Sequence, residues 1–132
     1  MKKLTILLAA LFFLLALSGC KEEDVLHLGL NARLLEVDAE NSLIYVQDID
    51  PETNLFGERC MLDCTVAEEE FRLCYCDYQT HDVWEIELSD LQPGDMLILG
   101  IWRSELERER APGEAIPIKQ LQLGTQRLSE GA

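Results

Sequence analysis

Apolar and polar residues alternate along much of the chain after residue 27, and this period-two pattern is the strongest constraint on its fold. The clearest runs cover residues 28–34 and 84–88. After the first run the apolar phase slips by one residue, so that Leu35 and Val37 follow Leu34 as the inward set. Such a slip is typical of a β-bulge, which lets a long strand bend. The pattern predicts an all-β domain that begins with a long, bent strand.

Further strands and turns follow from the same pattern. Thr65 and Glu68 have the spacing of a capping box and predict one short helix after the third strand. Pro93 and Gly94 suit the central positions of a type II turn, and Pro117, which lacks an N–H, belongs at a sheet edge. A bent first strand, a hairpin, a short mid-chain helix and a closing strand predict a small OB-like β-barrel. The remaining predicted strands cover 43–47, 60–64, 71–76, 96–102 and 116–123.

The amino-terminal segment has the character of an export signal. Lys2 and Lys3 precede an apolar run over residues 4–17 that is interrupted only by Thr5. As a helix this run would be about 21 Å long, whereas a membrane span needs about 20 residues. The run therefore fits the apolar region of a secretory signal. An uncleaved anchor is the alternative interpretation.

The end of this segment, Leu17-Ser18-Gly19-Cys20, resembles the lipobox of bacterial lipoproteins at all four positions. In that family the cysteine sulfur receives a diacylglycerol, the chain is cut before the cysteine, and the new amino terminus is often acylated. The resemblance implies a signal peptide over residues 1–19, a palmitate-bearing Cys20, and a place on the extracytoplasmic face of the cell membrane. Two acyl chains anchor a protein stably where one does not. Lys21, and not aspartate, follows the cysteine. In a cell that has an outer membrane, this resembles a lipoprotein that is sorted onward to that membrane.

The rest of the chain is predicted as a lipidated cysteine with a short linker (20–27), an OB-like barrel domain (28–125) and a C-terminal tail (126–132). The mature chain is similar to a family of YobA-like lipoproteins of OB type. The similarity lies in the Asp-Leu-x-Pro-Gly-Asp turn at 90–95, the strand after it, and the closing Ile116-Pro117-Ile118. It implies a small envelope-attached barrel with no assigned reaction. The four internal cysteines are not part of that pattern.

The charge of the chain limits its partners. Removing Lys2 and Lys3 with the leader changes the formal net charge from −14 to −16. Such a surface repels the phosphates of nucleic acids and anionic lipid headgroups. Nucleic acid is therefore not expected as a partner, and contact with the membrane is expected only through the lipid on Cys20.

Four internal cysteines form a C-x3-C followed by a C-x-C: Cys60, Cys64, Cys74 and Cys76. In an exported compartment disulfides persist. Within a strand the first pair would lie about 13 Å apart, beyond the roughly 7 Å limit for a bridge, and an i,i+2 bridge in the second pair would be strained. Disulfides joining one pair to the other across neighbouring strands are therefore favoured. The alternatives are buried free thiols and a four-cysteine zinc or soft-metal site, for which the spacing is poor.

An acidic stretch over 48–54 alternates like the start of a calcium loop, with Asp48, Asp50, Glu52 and Asn54 at its odd positions. An EF-hand needs glycine at its sixth position and glutamate at its twelfth. Thr53 and Arg59 occupy those positions, so the match fails.

No catalytic constellation is found. His27 and His81 are distant in sequence, and there is no nucleophile motif or glycine-rich phosphate loop, so no catalytic residue and no cofactor are predicted. The sequence favours a lipid-anchored, extracytoplasmic binding or envelope-interaction module without catalytic activity, whose ligand is an unidentified protein or small molecule. The alternative is a thiol-dependent metal-handling or redox lipoprotein that uses the four internal cysteines.

Five aromatic residues are candidates for lining a binding groove: Tyr45, Tyr75, Tyr78, Trp84 and Trp102. For the two tryptophans a position in the core is favoured over a position in a groove.

Overall fold

The computed structural model describes residues 23–50 and 52–128. The predicted signal peptide, Cys20 with residues 21–22, and the last residues of the tail (129–132) lie outside this part of the chain. Strands are the main regular secondary structure of the described residues, and the expected short helix follows the third strand, as predicted. The strands are β1 (Leu26–Asp38), β2 (Leu43–Gln47), β3 (Cys60–Asp63), β4 (Leu73–Cys76), β5 (Val83–Glu85), β6 (Met96–Trp102), β7 (Ile116–Pro117) and β8 (Gln120–Leu123), and the helices are α1 (Thr65–Glu69) and α2 (Arg103–Glu107).

All eight strands belong to one mixed sheet with the order β5-β4-β8-β6-β1-β2-β3-β7. Two neighbouring pairs are parallel, β3 with β7 and β4 with β8. The apolar strand β6 lies inside the sheet between β1 and β8, as its sequence predicts, and Pro117 lies in the edge strand β7. Within the described residues, neither helix has the length and apolar character needed to cross a membrane.

The first strand bends so that it can serve two neighbours. Its first half pairs with β6 and its second half with β2. The register with β2 shifts between Leu34 and Glu36, which confirms the bulge predicted from the slipped alternation. A second shift, in the register with β6, lies between His27 and Leu30, where Gly29 has a φ of 83°. These two irregularities let one strand follow a curved sheet.

The segment that contains β7 and β8 contacts both halves of the sheet. Only Ile118 and Lys119 separate the two strands. The Ile118 N–H donates to the Asp63 carbonyl of β3 at 3.0 Å, and the Lys119 N–H donates to the Gly100 carbonyl of β6 at 2.8 Å. A Cβ at Gly100 would lie 2.5 Å from Cγ of Gln120, so a side chain at this position would displace that of Gln120.

The core is formed by side chains from β1, β2, β3, β4, β6 and β8, together with residues of the connecting segments. Trp84 packs against this core, with its ring centroid 4.7 Å from that of the buried Tyr75. Trp84 is half-buried and packs against the buried cluster, so the core position expected for it is met in part. The largest fully buried side chains are Tyr75, Leu34, Ile44, Leu62, Leu88, Leu97, Leu99, Ile101, Ile118, Leu121, Leu123 and Val46.

Helix α1 begins without the predicted capping box, so that prediction is wrong. Thr65 is the first helical residue, and Cys64 occupies the cap position with no side-chain bond. Oδ1 of Asp63 instead accepts the Thr65 N–H at 2.9 Å and the Thr65 hydroxyl at 2.6 Å. Because Thr65 lies within the first turn and Cys64 occupies the cap position, the Thr65 hydroxyl does not cap the helix.

The strand predicted over 84–88 is shorter than expected and begins one residue earlier, since β5 covers Val83–Glu85. Leu88 to Asp90 form a single 3-10 turn, and the Glu87 N–H donates to Oδ2 of Asp90 at 2.8 Å. Leu88 is nevertheless buried. The alternation therefore predicted the buried position of Leu88 correctly, whereas the hydrogen bond to the Asp90 carboxylate sets the backbone conformation.

The Pro-Gly turn forms as predicted and is fixed by a distant arginine. Gly94 has a φ of 95°, and the Asp95 N–H donates to the Gln92 carbonyl at 3.1 Å. The buried Asp95 carboxylate accepts Nε of Arg127 at 3.0 Å and its terminal nitrogen at 2.7 Å. Arg127 also donates to the Asp90 carbonyl, and its hydrogen bonds to Asp95 raise its pKa. The chain therefore packs on the domain as far as Arg127, inside the segment predicted as a tail.

We expect the Arg127–Asp95 pair to be a main contributor to stability. Arg127→Ala leaves a buried carboxylate without its charged partner, which lowers the free energy of unfolding by about 3 kcal/mol. The matched control is Arg72→Ala, which removes a pair with Glu70 whose side chains are about half exposed; it costs less than about 1 kcal/mol. Urea unfolding followed by tryptophan fluorescence measures both. Equal losses in the two variants would contradict this assignment.

Candidate binding pocket and cysteine sites

An open pocket of about 410 Å³ lies beside the first bend of β1. It lies between β1, the first residue of β6, and the loop that joins β2 to β3. Its lining is mainly apolar, with one carboxylate, one amide and one hydroxyl side chain. The lining residues are Gly29, Leu30, Asn31, Ile49, Asp50, Thr53, Leu55 and Met96.

The loop that forms one wall of the pocket is held at both ends by Asp48. The Asp48 carboxylate accepts the N–H of Phe56 at 3.0 Å and that of Gly57 at 2.9 Å. The Asp48 N–H donates to the Gly57 carbonyl at 3.0 Å, and the Phe56 ring is buried in the core. Both oxygens of Asp48 are thus engaged by backbone N–H groups. The acidic alternation in this segment therefore has a local structural role in shaping the loop.

The opposite wall of the pocket depends on the backbone of β1. Gly29 lies in the left-handed region, at the register shift between β1 and β6. Across the pocket, Leu55 and Met96 are 38% and 45% exposed, which is high for large apolar side chains. A largely preformed apolar pocket with a few polar groups is the usual form of a small-molecule site. The chemistry of this pocket suits a small amphipathic molecule.

Sequence reasoning did not single out these pocket residues. Of the candidates it named, only Asp50 contributes to the lining, and it does so as a wall residue. Gly29 was the available signal, since an isolated glycine within an alternating strand marks a bulge or a close approach. The pocket also requires the contact between β1 and the 48–57 loop, which a local pattern does not encode.

The five aromatic candidates do not line this pocket. Tyr75 is fully buried, and Tyr78 is about half exposed. The Arg59 guanidinium lies 4.2 Å from the ring centroid of Tyr45, in a cation–π contact. Trp102 is half-buried and lies opposite the start of β1. The aromatic residues thus divide between core and surface positions.

The structure separates the two cysteine pairs. Cys60 and Cys64 lie on and directly after β3, whereas Cys74 and Cys76 lie on β4, and four other strands stand between β3 and β4 in the sheet order. The expectation that the pairs face each other on neighbouring strands is therefore wrong. All four thiols are free. The sequence spacing could not reveal this, because the partners of β3 and β4 are distant in the chain.

The first pair has the environment of packing residues. Cys64 is completely buried, and burial raises the pKa of its thiol above the ordinary value of 9.0, with Glu68 and Asp63 adding to the increase. Burial also raises the pKa of Cys60, against an opposing effect of Arg110. Both thiols are therefore protonated at neutral pH, and Cys64 acts as a small apolar side chain.

The second pair lies on the opposite face of β4 from its buried residues. Leu73 and Tyr75 point into the core, whereas Cys74 and Cys76 are half-buried on the outer face. Burial, and then the neighbouring Cys76, raise the pKa of Cys74. Within residues 23–50 and 52–128, no group of three or more histidine, cysteine or acidic side chains could hold a metal ion. The four cysteines are thus not brought together as a zinc site would require.

Comparisons with known proteins were made at the level of families, sequences and structures. No family model, no curated protein and no solved structure matches the chain.

Proposed function

We propose that this protein is a lipid-anchored, extracytoplasmic binding module that holds a small amphipathic ligand in the pocket beside β1. The pocket is the single observation on which the proposal rests. It offers apolar surface from Leu30, Ile49 and Met96, and polar contacts from Asn31 and Thr53. The proposal includes no reaction, because the sequence has no nucleophile motif. It includes no nucleic-acid partner, because the chain carries a large negative charge that repels phosphates.

The proposal includes an OB-like barrel as the scaffold of the pocket. The support is the segment 116–123, whose β7 pairs with β3 in parallel and whose β8 pairs with β6 in antiparallel orientation. With β1 joining β6 to β2, and β2 joining β3, this segment would complete a five-stranded cycle. The short helix α1 after β3 fits the same arrangement. In this interpretation β4 and β5 form a hairpin added to the outer side of β8.

The chain leaves the domain in a way that suits a short tether to Cys20. Oδ1 of Asp24 accepts the Ser104 N–H at 3.0 Å, and Oδ2 accepts the Ser104 hydroxyl. These bonds lower the pKa of Asp24. The Arg103 N–H also donates to the Val25 carbonyl at 2.7 Å. Because the chain is fixed from Asp24 onward, a lipid on Cys20 would hold the domain within about 14 Å of the membrane surface.

Photolabelling tests the pocket. We expect a photoreactive octanol to label the detergent-solubilised full-length protein saturably, on peptides that contain residues 29–31, 49–55 and 96. Met96→Glu introduces a charge at the pocket and should abolish this labelling, since burying an unpaired carboxylate is costly. Val83→Glu is the matched control, because Val83 is an exposed apolar residue outside the pocket. Labelling spread over exposed apolar residues elsewhere, or equal loss in both variants, would overturn the proposed binding site.

Metabolic labelling tests the anchor. Cells supplied with labelled palmitate should incorporate it into the wild-type protein, which should fractionate with membranes. Cys20→Ser removes the only sulfur that the proposal makes available for the diacylglycerol, so the variant should carry no label and keep its leader. Cys60→Ser, which removes a half-buried internal thiol, should be labelled like the wild type. Unchanged maturation and membrane fractionation of Cys20→Ser would contradict the anchor.

A further inference from the structure

We propose that Cys74 and Cys76 form a dithiol site for one soft, two-coordinate cation of the Cu(I) type. This site is separate from the pocket beside β1. It assigns the thiol-dependent role that the sequence suggested for four cysteines to Cys74 and Cys76 alone. The proposal rests on the geometry of β4, on the neighbours of the two sulfurs, and on the chemistry of paired thiols.

The geometry of β4 places both thiols on one face. In a strand, residues i and i+2 lie about 6.7 Å apart with their side chains roughly parallel. That separation is at the upper limit for a disulfide, whose Cα atoms usually lie about 5.5–6 Å apart, and both thiols are free. Metal–thiolate bonds are about 2.3 Å long, so a linear S–metal–S unit spans about 4.6 Å. Parallel side chains at this spacing therefore suit one bridging ion better than a direct sulfur–sulfur bond.

The neighbouring strands hold this geometry in place. β4 is paired on both sides, with β5 and with β8, so its backbone is fixed. Glu85 on β5 and Gln122 on β8 lie opposite Cys74, and Val83 lies opposite Cys76. The residues in register with the two thiols thus include a carboxylate that favours an incoming cation and no basic side chain that would oppose it.

Binding of one monovalent cation by the two thiols breaks two S–H bonds and forms two metal–sulfur bonds. The products are a bis-thiolate complex with a charge of −1 and two hydrogen ions. Soft thiolate ligands favour Cu(I) over hard cations. Zinc prefers four ligands, which this pair does not supply.

Copper competition provides the first test. Full-length protein in detergent is titrated with Cu(I) held by a colorimetric chelator, and transfer of the ion is read from the loss of the chelate colour. The wild type should take up one equivalent. Cys74→Ser and Cys76→Ser should each lose the ion at the same chelator concentration. Cys60→Ser is the matched control and should keep it, because Cys60 is also half-buried but lies on β3.

A second measurement on the wild type covers the case in which a serine variant fails to fold. Phenylarsine oxide condenses with two neighbouring thiols, forming two As–S bonds and releasing one water. One adduct is expected on the native protein, on the peptide that carries both Cys74 and Cys76. The proposal is overturned if the adduct maps to Cys60 or Cys64, if no adduct forms, or if a folded Cys76→Ser variant still binds Cu(I).

Discussion

The hydrogen bonding of residues 116–123 to β3 at one end, and to β6 and β4 at the other, is the constraint on which the rest of the structure depends. Through Ile118 this segment meets β3, and through Lys119 it meets β6. β6, β1, β2 and β3 are adjacent in the sheet in that order. The segment therefore connects the first and the last of these four strands.

The pocket and the dithiol pair are consequences of this arrangement on different strands. A curved first strand with Gly29 at its bend leaves space that the 48–57 loop encloses, because Asp48 closes the base of that loop. The same sheet places β4 outside β8, so the outer face of β4 carries Cys74 and Cys76 beside β5. The proposed ligand site and the proposed metal site therefore share a scaffold and no side chains.

Some local features of the sequence predicted local structure correctly, although the capping box expected at Thr65 did not form. The slip after Leu34 identified the bulge, and the Pro93-Gly94 pair identified the turn, because each depends only on neighbouring residues. Pairings between distant strands could not be read in this way, which is why the cysteine pairs were expected to face each other. The role of Arg127 was also missed, since a lone arginine near the chain end has no periodic pattern to mark it. The pocket was missed because its walls come from three segments that are distant in the sequence.

Amide hydrogen exchange at Ile118 and Lys119 tests the central claim most directly. If the segment is hydrogen-bonded to both β3 and β6, these two amides should exchange as slowly as those of the β1–β6 pairing, because both can open only when the sheet separates. Exchange of either amide as fast as that of the exposed residues 107–109 would show that the segment does not link β3 to β6 there, and would contradict this account of the fold.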